Sequence, residues 1–79
     1  MELREEAIEM IKERLTVILG AGEYKEETTF EELKMKSVNY SQLTTALEDE
    51  FDVEIPFMDF KRKVTIAAAA DYIVELVEG

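Results

Sequence analysis

The sequence predicts an all-α fold, a small antiparallel four-helix bundle with three main helices, one short helix and a long loop between helices 1 and 2. Apolar residues recur at three- and four-residue steps in separate segments, which is the period of an amphipathic helix. Strand-like alternation of apolar and polar residues is convincing nowhere in the chain. At 79 residues the chain has room for one core, so we expect a single domain over residues 1–79.

The first helix is predicted near the N-terminus, where the apolar residues share one helical face. That face consists of Leu3, Ala7, Ile8, Ile11, Leu15, Ile18 and Leu19. Gly20 and Gly22 follow it, and Gly ends helices because it adopts the left-handed closing conformation at low cost. The segment 20–36 is therefore predicted to be a long loop. Two pairs with capping-box spacing predict a short helical turn inside it, Thr28 with Glu31 and Thr29 with Glu32, and Phe30 and Leu33 are expected to tie it down.

The second helix is predicted to begin near Ser37, because a serine hydroxyl at the N-cap accepts a bond from a free amide of the first turn. Its apolar stripe is Tyr40, Leu43, Leu47 and Phe51, with Ala46 beside them. The residue before Pro56 disfavours helix, so the second helix is expected to end ahead of that proline.

Two more helices complete the predicted bundle. A short element is expected over Phe57 to Arg62, and Thr65 is placed to cap the last helix. The inward face of that helix is predicted to be Ile66, Ala69, Ala70, Ile73 and Val77.

Composition limits the function. Nineteen acidic residues against nine basic ones give a net charge of −10, which repels nucleic-acid phosphates and anionic lipid and attracts basic protein surfaces. The chain has no Cys and no His, which excludes disulfides, thiolate zinc sites and the Ser-His-Asp arrangement. The acidic runs lack the alternating ligands of a calcium loop, so no metal site is expected. We therefore expect a cytoplasmic, monomeric, non-catalytic, protein-binding domain that does not insert into membranes.

The local charge around Ser37 differs from that of the whole chain. Residues 33–47 contain no acid and two cations, Lys34 and Lys36. A helix start also offers unpaired amides and the positive end of the helix dipole, which together suit a phosphate group. Ser37 is thus placed to carry a phosphodiester, and Lys36 is a candidate phosphate contact.

The chain resembles the acyl carrier proteins over essentially its whole length. The residues that carry the resemblance begin with the run Phe30-Glu31-Glu32-Leu33-Lys34-Met35-Lys36-Ser37-Val38. They continue at the family spacing with Leu43, Ala46-Leu47-Glu48-Asp49-Glu50-Phe51, Glu54-Ile55-Pro56, Thr65-Ile66 and Asp71-Tyr72-Ile73.

This resemblance implies a carrier of acyl intermediates, as used in lipid or fatty acid biosynthesis. Ser37 matches the serine that receives 4'-phosphopantetheine from coenzyme A through a phosphopantetheinyl transferase. The thiol of that group holds an acyl chain as a thioester and presents it to acyl-loading and acyl-transferring enzymes. In the family the bundle interior shelters the chain, and the candidate lining residues here are Leu43, Leu47, Ile55, Ile66 and Ile73.

The resemblance also implies where partners bind. Glu48, Asp49, Glu50 and Glu54 form an expected acidic contact strip. The stretch after Pro56 departs from the family, which often has acids there. Its Phe57 and Phe60 either pack into the bundle or form an exposed partner patch beside a basic run, which Tyr40 extends if it is not itself a core residue.

Departures from the family pattern favour a specialised carrier. Lys34 and Lys36 replace the family Gly and Asp, and Asn39 and Gln42 stand where the family has acids. The alternative is a carrier-like interaction domain without the prosthetic group, in which Ser37 is only a helix cap.

Overall fold

The fold is a bundle of four helices, seen in a computed structural model that describes residues 2–79. The helices are α1 (Leu3–Leu19), α2 (Ser37–Phe51), α3 (Phe57–Lys61) and α4 (Ile66–Glu78). This confirms the predicted all-α class, with three main helices, one short helix and a long loop before α2. In the described part of the chain no helix is long and apolar enough to cross a membrane.

The core lies where α1 packs against α4 and α2, and α2 in turn packs against α3. Ala7, Ala69 and Ala70 are fully buried, and their small side chains allow helix backbones to approach closely. The largest fully buried side chains are Phe30, Phe60, Ile11, Leu15, Leu43, Leu47, Ile66 and Ile73. Burial of each such Leu, Ile or Phe contributes about 1.5–3 kcal/mol relative to an exposed position.

Two residues predicted to face the core are exposed instead. Leu19 is the last residue of α1 and Val77 lies one residue before the end of α4, and each is 36% exposed. Both lie in terminal turns, where the neighbouring elements cover less of the helix. Thr44 was not foreseen in the core, and its hydroxyl is satisfied there by donating to the Ser41 carbonyl at 3.1 Å.

The long loop before α2 is held to the start of α4 by backbone hydrogen bonds. Phe30 N–H donates to the Val64 carbonyl at 3.0 Å, and the α4 amides of Ile66 and Ala67 donate to loop carbonyls at 3.1 and 2.9 Å. Thr65 caps α4 as predicted, because its hydroxyl accepts from Ala68 N–H at 3.0 Å. The loop and the segment before α4 therefore run side by side.

The loop turn confirms one predicted capping box and corrects the other. Thr29 N–H and Oγ1 both donate to Glu32 Oε2, and Thr29 Oγ1 accepts from Glu32 N–H. These bonds lower the pKa of Glu32. Thr28 Oγ1 instead accepts from Lys25 N–H at 2.9 Å, because Lys25 lies in the turn that precedes it. Buried Phe30 and half-buried Leu33 anchor the loop as expected.

Candidate functional site

Ser37 is the first residue of α2, and its side chain is exposed. The prediction that Ser37 caps the helix is wrong, because Lys36 holds the N-cap position with extended backbone dihedrals. The backbone N–H of Lys36 is satisfied by Asn39 Oδ1 at 2.9 Å. The Ser37 hydroxyl is therefore not used in capping.

The cation that contacts Ser37 is Lys61, at the end of α3. Lys61 Nζ donates to Ser37 Oγ at 3.3 Å, whereas the exposed Lys36 makes no such bond in the described chain. Sequence reasoning missed Lys61 because it lies 24 residues further along the chain. The basic run Lys61-Arg62-Lys63 was a visible signal, but which helix end it meets depends on how α3 packs against α2.

The surroundings of Ser37 suit a phosphodiester. The first turn of α2 contains no acidic residue, and the amides of Ser37 and Val38 have no acceptor within residues 2–79. The helix dipole adds positive partial charge at this end. An anion attached to Ser37 Oγ would meet an ammonium group and free N–H donors, so the residues present fit a phosphopantetheine group.

A groove opens beside Ser37, between the loop turn and the segment that joins α3 to α4. It has a volume of about 320 Å³ and is lined by Phe30, Glu31, Lys34, Met35, Tyr40, Lys61, Arg62, Lys63 and Val64. We call it the basic groove, because four cations and one acid line it. Lys61 belongs both to this groove and to the surroundings of Ser37.

Three aromatic rings pack against one another at the groove. The ring centroid of Phe30 lies 5.6 Å from that of Tyr40 and 6.3 Å from that of Phe60. The centroids of Tyr40 and Phe60 are 6.5 Å apart. Burial raises the pKa of Tyr40. The expectation that Tyr40 and Phe60 contact partners is corrected, since both are core residues. Phe57 is half-buried, and Met58 beside it is exposed.

One residue of the predicted acidic contact strip, Glu48, has a structural role instead. Glu48 Oε2 accepts from Ile55 N–H at 2.8 Å, so Glu48 holds the segment between α2 and α3 rather than facing outward. Asp49, Glu50 and Glu54 are exposed and stay candidate partner contacts.

The candidate acyl-lining residues all lie in the core. Leu43, Leu47, Ile66 and Ile73 are fully buried, and Ile55 is nearly so. Packing of the core is enough to explain their burial. The entry of an acyl chain among them stays a prediction.

Comparison with known proteins gives one family match. A family model described as a phosphopantetheine attachment site matches residues 6–73. The matched range contains Ser37, α2, α3 and most of α1, and it extends into α4.

Proposed function

The chain belongs to the phosphopantetheine attachment site family, and we propose that it is a specialised acyl carrier protein that holds its prosthetic group on Ser37. Members of this family attach 4'-phosphopantetheine, and their carrier domains are generally non-catalytic. The assignment to a phosphopantetheine-carrying protein follows from the match. The residue, the cargo and the partners are the parts that we propose.

One observation supports Ser37 above all others. Its hydroxyl is exposed at the first residue of α2, and the cap position is held by Lys36. The helix therefore does not depend on the hydroxyl, which is free to be esterified. The contact with Lys61 Nζ adds a cation at the same oxygen.

In this function the chain itself holds the prosthetic group and presents the acyl group to partner enzymes. Lys61 and the free amides at the start of α2 stabilise the phosphodiester charge and orient its link to the helix. When bound, the prosthetic group supplies the thiol on which an acyl group is carried as a thioester. The lack of His and Cys removes the Ser–His and Cys–His pairs of the common nucleophilic enzymes, which supports a non-catalytic role.

The proposed partners are a phosphopantetheinyl transferase and enzymes that load and transfer the acyl group. Exposed Asp49, Glu50 and Glu54, with half-buried Phe57, are the proposed contacts away from Ser37. The monomeric state and cytoplasmic location that the composition favours belong to the same proposal. The alternative, an interaction domain without the prosthetic group, predicts an unmodified Ser37.

The test is the intact mass of the chain after incubation with coenzyme A and a broad-specificity phosphopantetheinyl transferase. We expect the wild type to gain one phosphopantetheine and Ser37→Ala to gain none. Ser41→Ala is the matched control, because Ser41 is exposed one turn later in α2, and it should be modified like the wild type. Modification of Ser37→Ala would contradict the assignment of the residue.

A second variant separates an unsuitable transferase from an unsuitable chain. Lys36→Asp restores the family residue before Ser37, so its modification without that of the wild type would show that Lys36 excludes the generic enzyme. If neither is modified, and the chain from its natural host is also unmodified, the interaction-domain alternative replaces the carrier.

A further inference from the structure

The basic groove carries positive charge, whereas the chain as a whole is negatively charged. Lys34, Lys61, Arg62 and Lys63 line it together with a single acid, Glu31, in a chain whose net charge is −10. Four other surface grooves are lined by at least as many acids as cations. Attraction for an anion is thus concentrated beside Ser37.

Two of the four cations have neither a carboxylate nor an aromatic ring as a partner in the described part of the chain. Arg62 lies 3.9 Å from an Asp59 oxygen, and the Lys63 ammonium lies 4.6 Å from the centre of the Tyr72 ring. In the described part of the chain, Lys34 and Lys61 have no carboxylate oxygen within 4.0 Å. Lys34 is thus available for a ligand, and Lys61 has N–H donors left beside the one that it uses at Ser37 Oγ.

Lys34 adopts a backbone conformation that disfavours its residue type. Its φ is 54°, in the left-handed region that Gly enters freely and a long side chain enters only at a cost. Strain that persists at a groove is a reason to look for a function there. A lysine at this position adds a cation to the groove that a glycine would not.

A ligand in the groove would lie at the surface of the bundle. Phe30 and Tyr40 line it and pack on buried Phe60, so the rings separate the groove from the aliphatic core. A carboxylate would not enter that core, because burial of an unpaired charge is strongly unfavourable. In the groove the same carboxylate meets ammonium groups while the carbons next to it meet the apolar side chains of Met35 and Val64.

We propose that the basic groove binds the terminal carboxylate of a short acyl group carried on the prosthetic group at Ser37. This inference rests on the proposed function and specifies its cargo as a carboxylate-bearing acyl thioester. Lys34 and Lys61 bind the carboxylate, Lys61 through N–H donors that it does not use at Ser37. Half-buried Met35 and exposed Val64, which also line the groove, contact the short carbon chain.

Because the acyl group is tethered to the chain, weak binding in the groove is enough to hold it there. A short flexible link holds its end at an effective concentration in the millimolar range. A groove with a dissociation constant of about a millimolar for the free ligand is therefore substantially occupied by the same ligand on the arm. Release to a partner enzyme then needs no slow step.

The first test uses the unmodified chain and needs no prosthetic group. The ¹⁵N-labelled protein is titrated at low salt with succinamate, which has one carboxylate, and with succinamide, its uncharged analogue. Succinamate should shift the amides of residues 30–35 and 61–64 with a millimolar dissociation constant, and succinamide should not. Lys34→Gly should weaken binding severalfold, whereas Lys12→Ala, which changes a cation of another groove, should leave it unchanged.

The second test compares cargoes on the loaded chain. Protein carrying a succinyl thioester should show the same groove shifts, which salt reverses, and protein carrying a butyryl thioester should not. Equal shifts for the two cargoes, or no response to succinamate, would overturn the inference. A response to an acidic peptide but not to succinamate would also overturn it and make the groove a protein-binding surface. Failure to load Ser37 contradicts only the proposed function, because the first titration uses the unmodified chain.

Discussion

Lys34 is a residue whose replacement should increase stability. Its φ of 54° costs a non-glycine residue about 1–2 kcal/mol, and Gly regains part of this while increasing the entropy of the unfolded chain by about 0.4–1 kcal/mol. Lys34→Gly should therefore raise the free energy of unfolding by about 0.5 kcal/mol, measured by denaturant unfolding. Lys34→Ala is the control, since Ala removes the same side chain but is not relieved at a φ of 54°, and it should bring no gain.

Glu48 is predicted to be structural rather than a partner contact. Its carboxylate accepts from the part-buried Ile55 N–H at 2.8 Å, and Glu48→Ala leaves that donor unpaired. We expect a loss of about 1–2 kcal/mol in the free energy of unfolding. Asp49→Ala, the exposed neighbour, should change it by no more than about 0.5 kcal/mol. Equal losses in the two variants would contradict the role given to Glu48.

Glu32 makes part of the stability depend on pH. Thr29 donates two hydrogen bonds to the Glu32 carboxylate and lowers its pKa. The stabilisation is therefore fully present above the unfolded value of about 4.3 and is lost as the pH falls through the lower folded value. The difference in melting temperature between the wild type and Glu32→Gln should shrink from pH 7 to pH 3. The same series for Glu31→Gln, where no such bond exists in the described chain, should show no comparable trend.

At the scale of single residues, the sequence predicted what depends on local chemistry. The Thr29–Glu32 box and the Thr65 cap are contacts over three residues, and their spacing is visible in the chain. The Lys61–Ser37 contact was missed because nothing local tells which side chain a distant helix brings to Ser37. The cap at Ser37 was misassigned by one residue, because the helix extends a residue further than the serine preference suggests.

Among the elements, α4 depends on its first turn. Thr65 Oγ1 accepts from Ala68 N–H at 3.0 Å, so Thr65→Ala should cost about 1 kcal/mol of stability. Thr45→Ala in the exposed middle of α2 is the matched control, and it should be neutral or slightly stabilising because Ala favours helix. A loss at Thr45 as large as that at Thr65 would argue against the cap.

Helix boundaries were predictable and the loop path was not. The bounds of α1 were read from the apolar face and from Gly20, which has a φ of 102° at the helix end. The hydrogen bonds that join the loop to α4 run between backbone atoms. Every residue type has these atoms, so no side-chain pattern in the sequence predicts which residues are joined. The groove beside Ser37 depends on that path and on the position of α3, so the sequence did not predict it.

At the scale of the whole molecule, self-repulsion among carboxylates should limit stability. A chain of 79 residues with a net charge of −10 has a thin core, which contributes about 3–5 kcal/mol net. Raising the ionic strength from about 0.01 to 0.15 M shortens the screening length from about 30 to 8 Å. The melting temperature should rise by several degrees, and divalent cations should act similarly. A melting temperature insensitive to both would contradict this account.

The net charge alone does not show that basic and acidic side chains are concentrated in different parts of the molecule. Lys34 lies before α2, and Lys61, Arg62 and Lys63 lie in and after α3, so the fold is needed to bring them to one groove. The exposed Asp49, Glu50 and Glu54 lie near the other end of α2. The acidic character therefore describes most of the surface and not the surroundings of Ser37.

The central claim is that this chain carries phosphopantetheine on Ser37, and its most direct test is the mass of the protein from its natural host. Intact mass spectrometry followed by fragmentation of the peptide around Ser37 reads both the modification and its position. The account predicts a mass increase of one phosphopantetheine, or of its acylated form, on Ser37. A chain that is unmodified in its host, or modified at another residue, would contradict it.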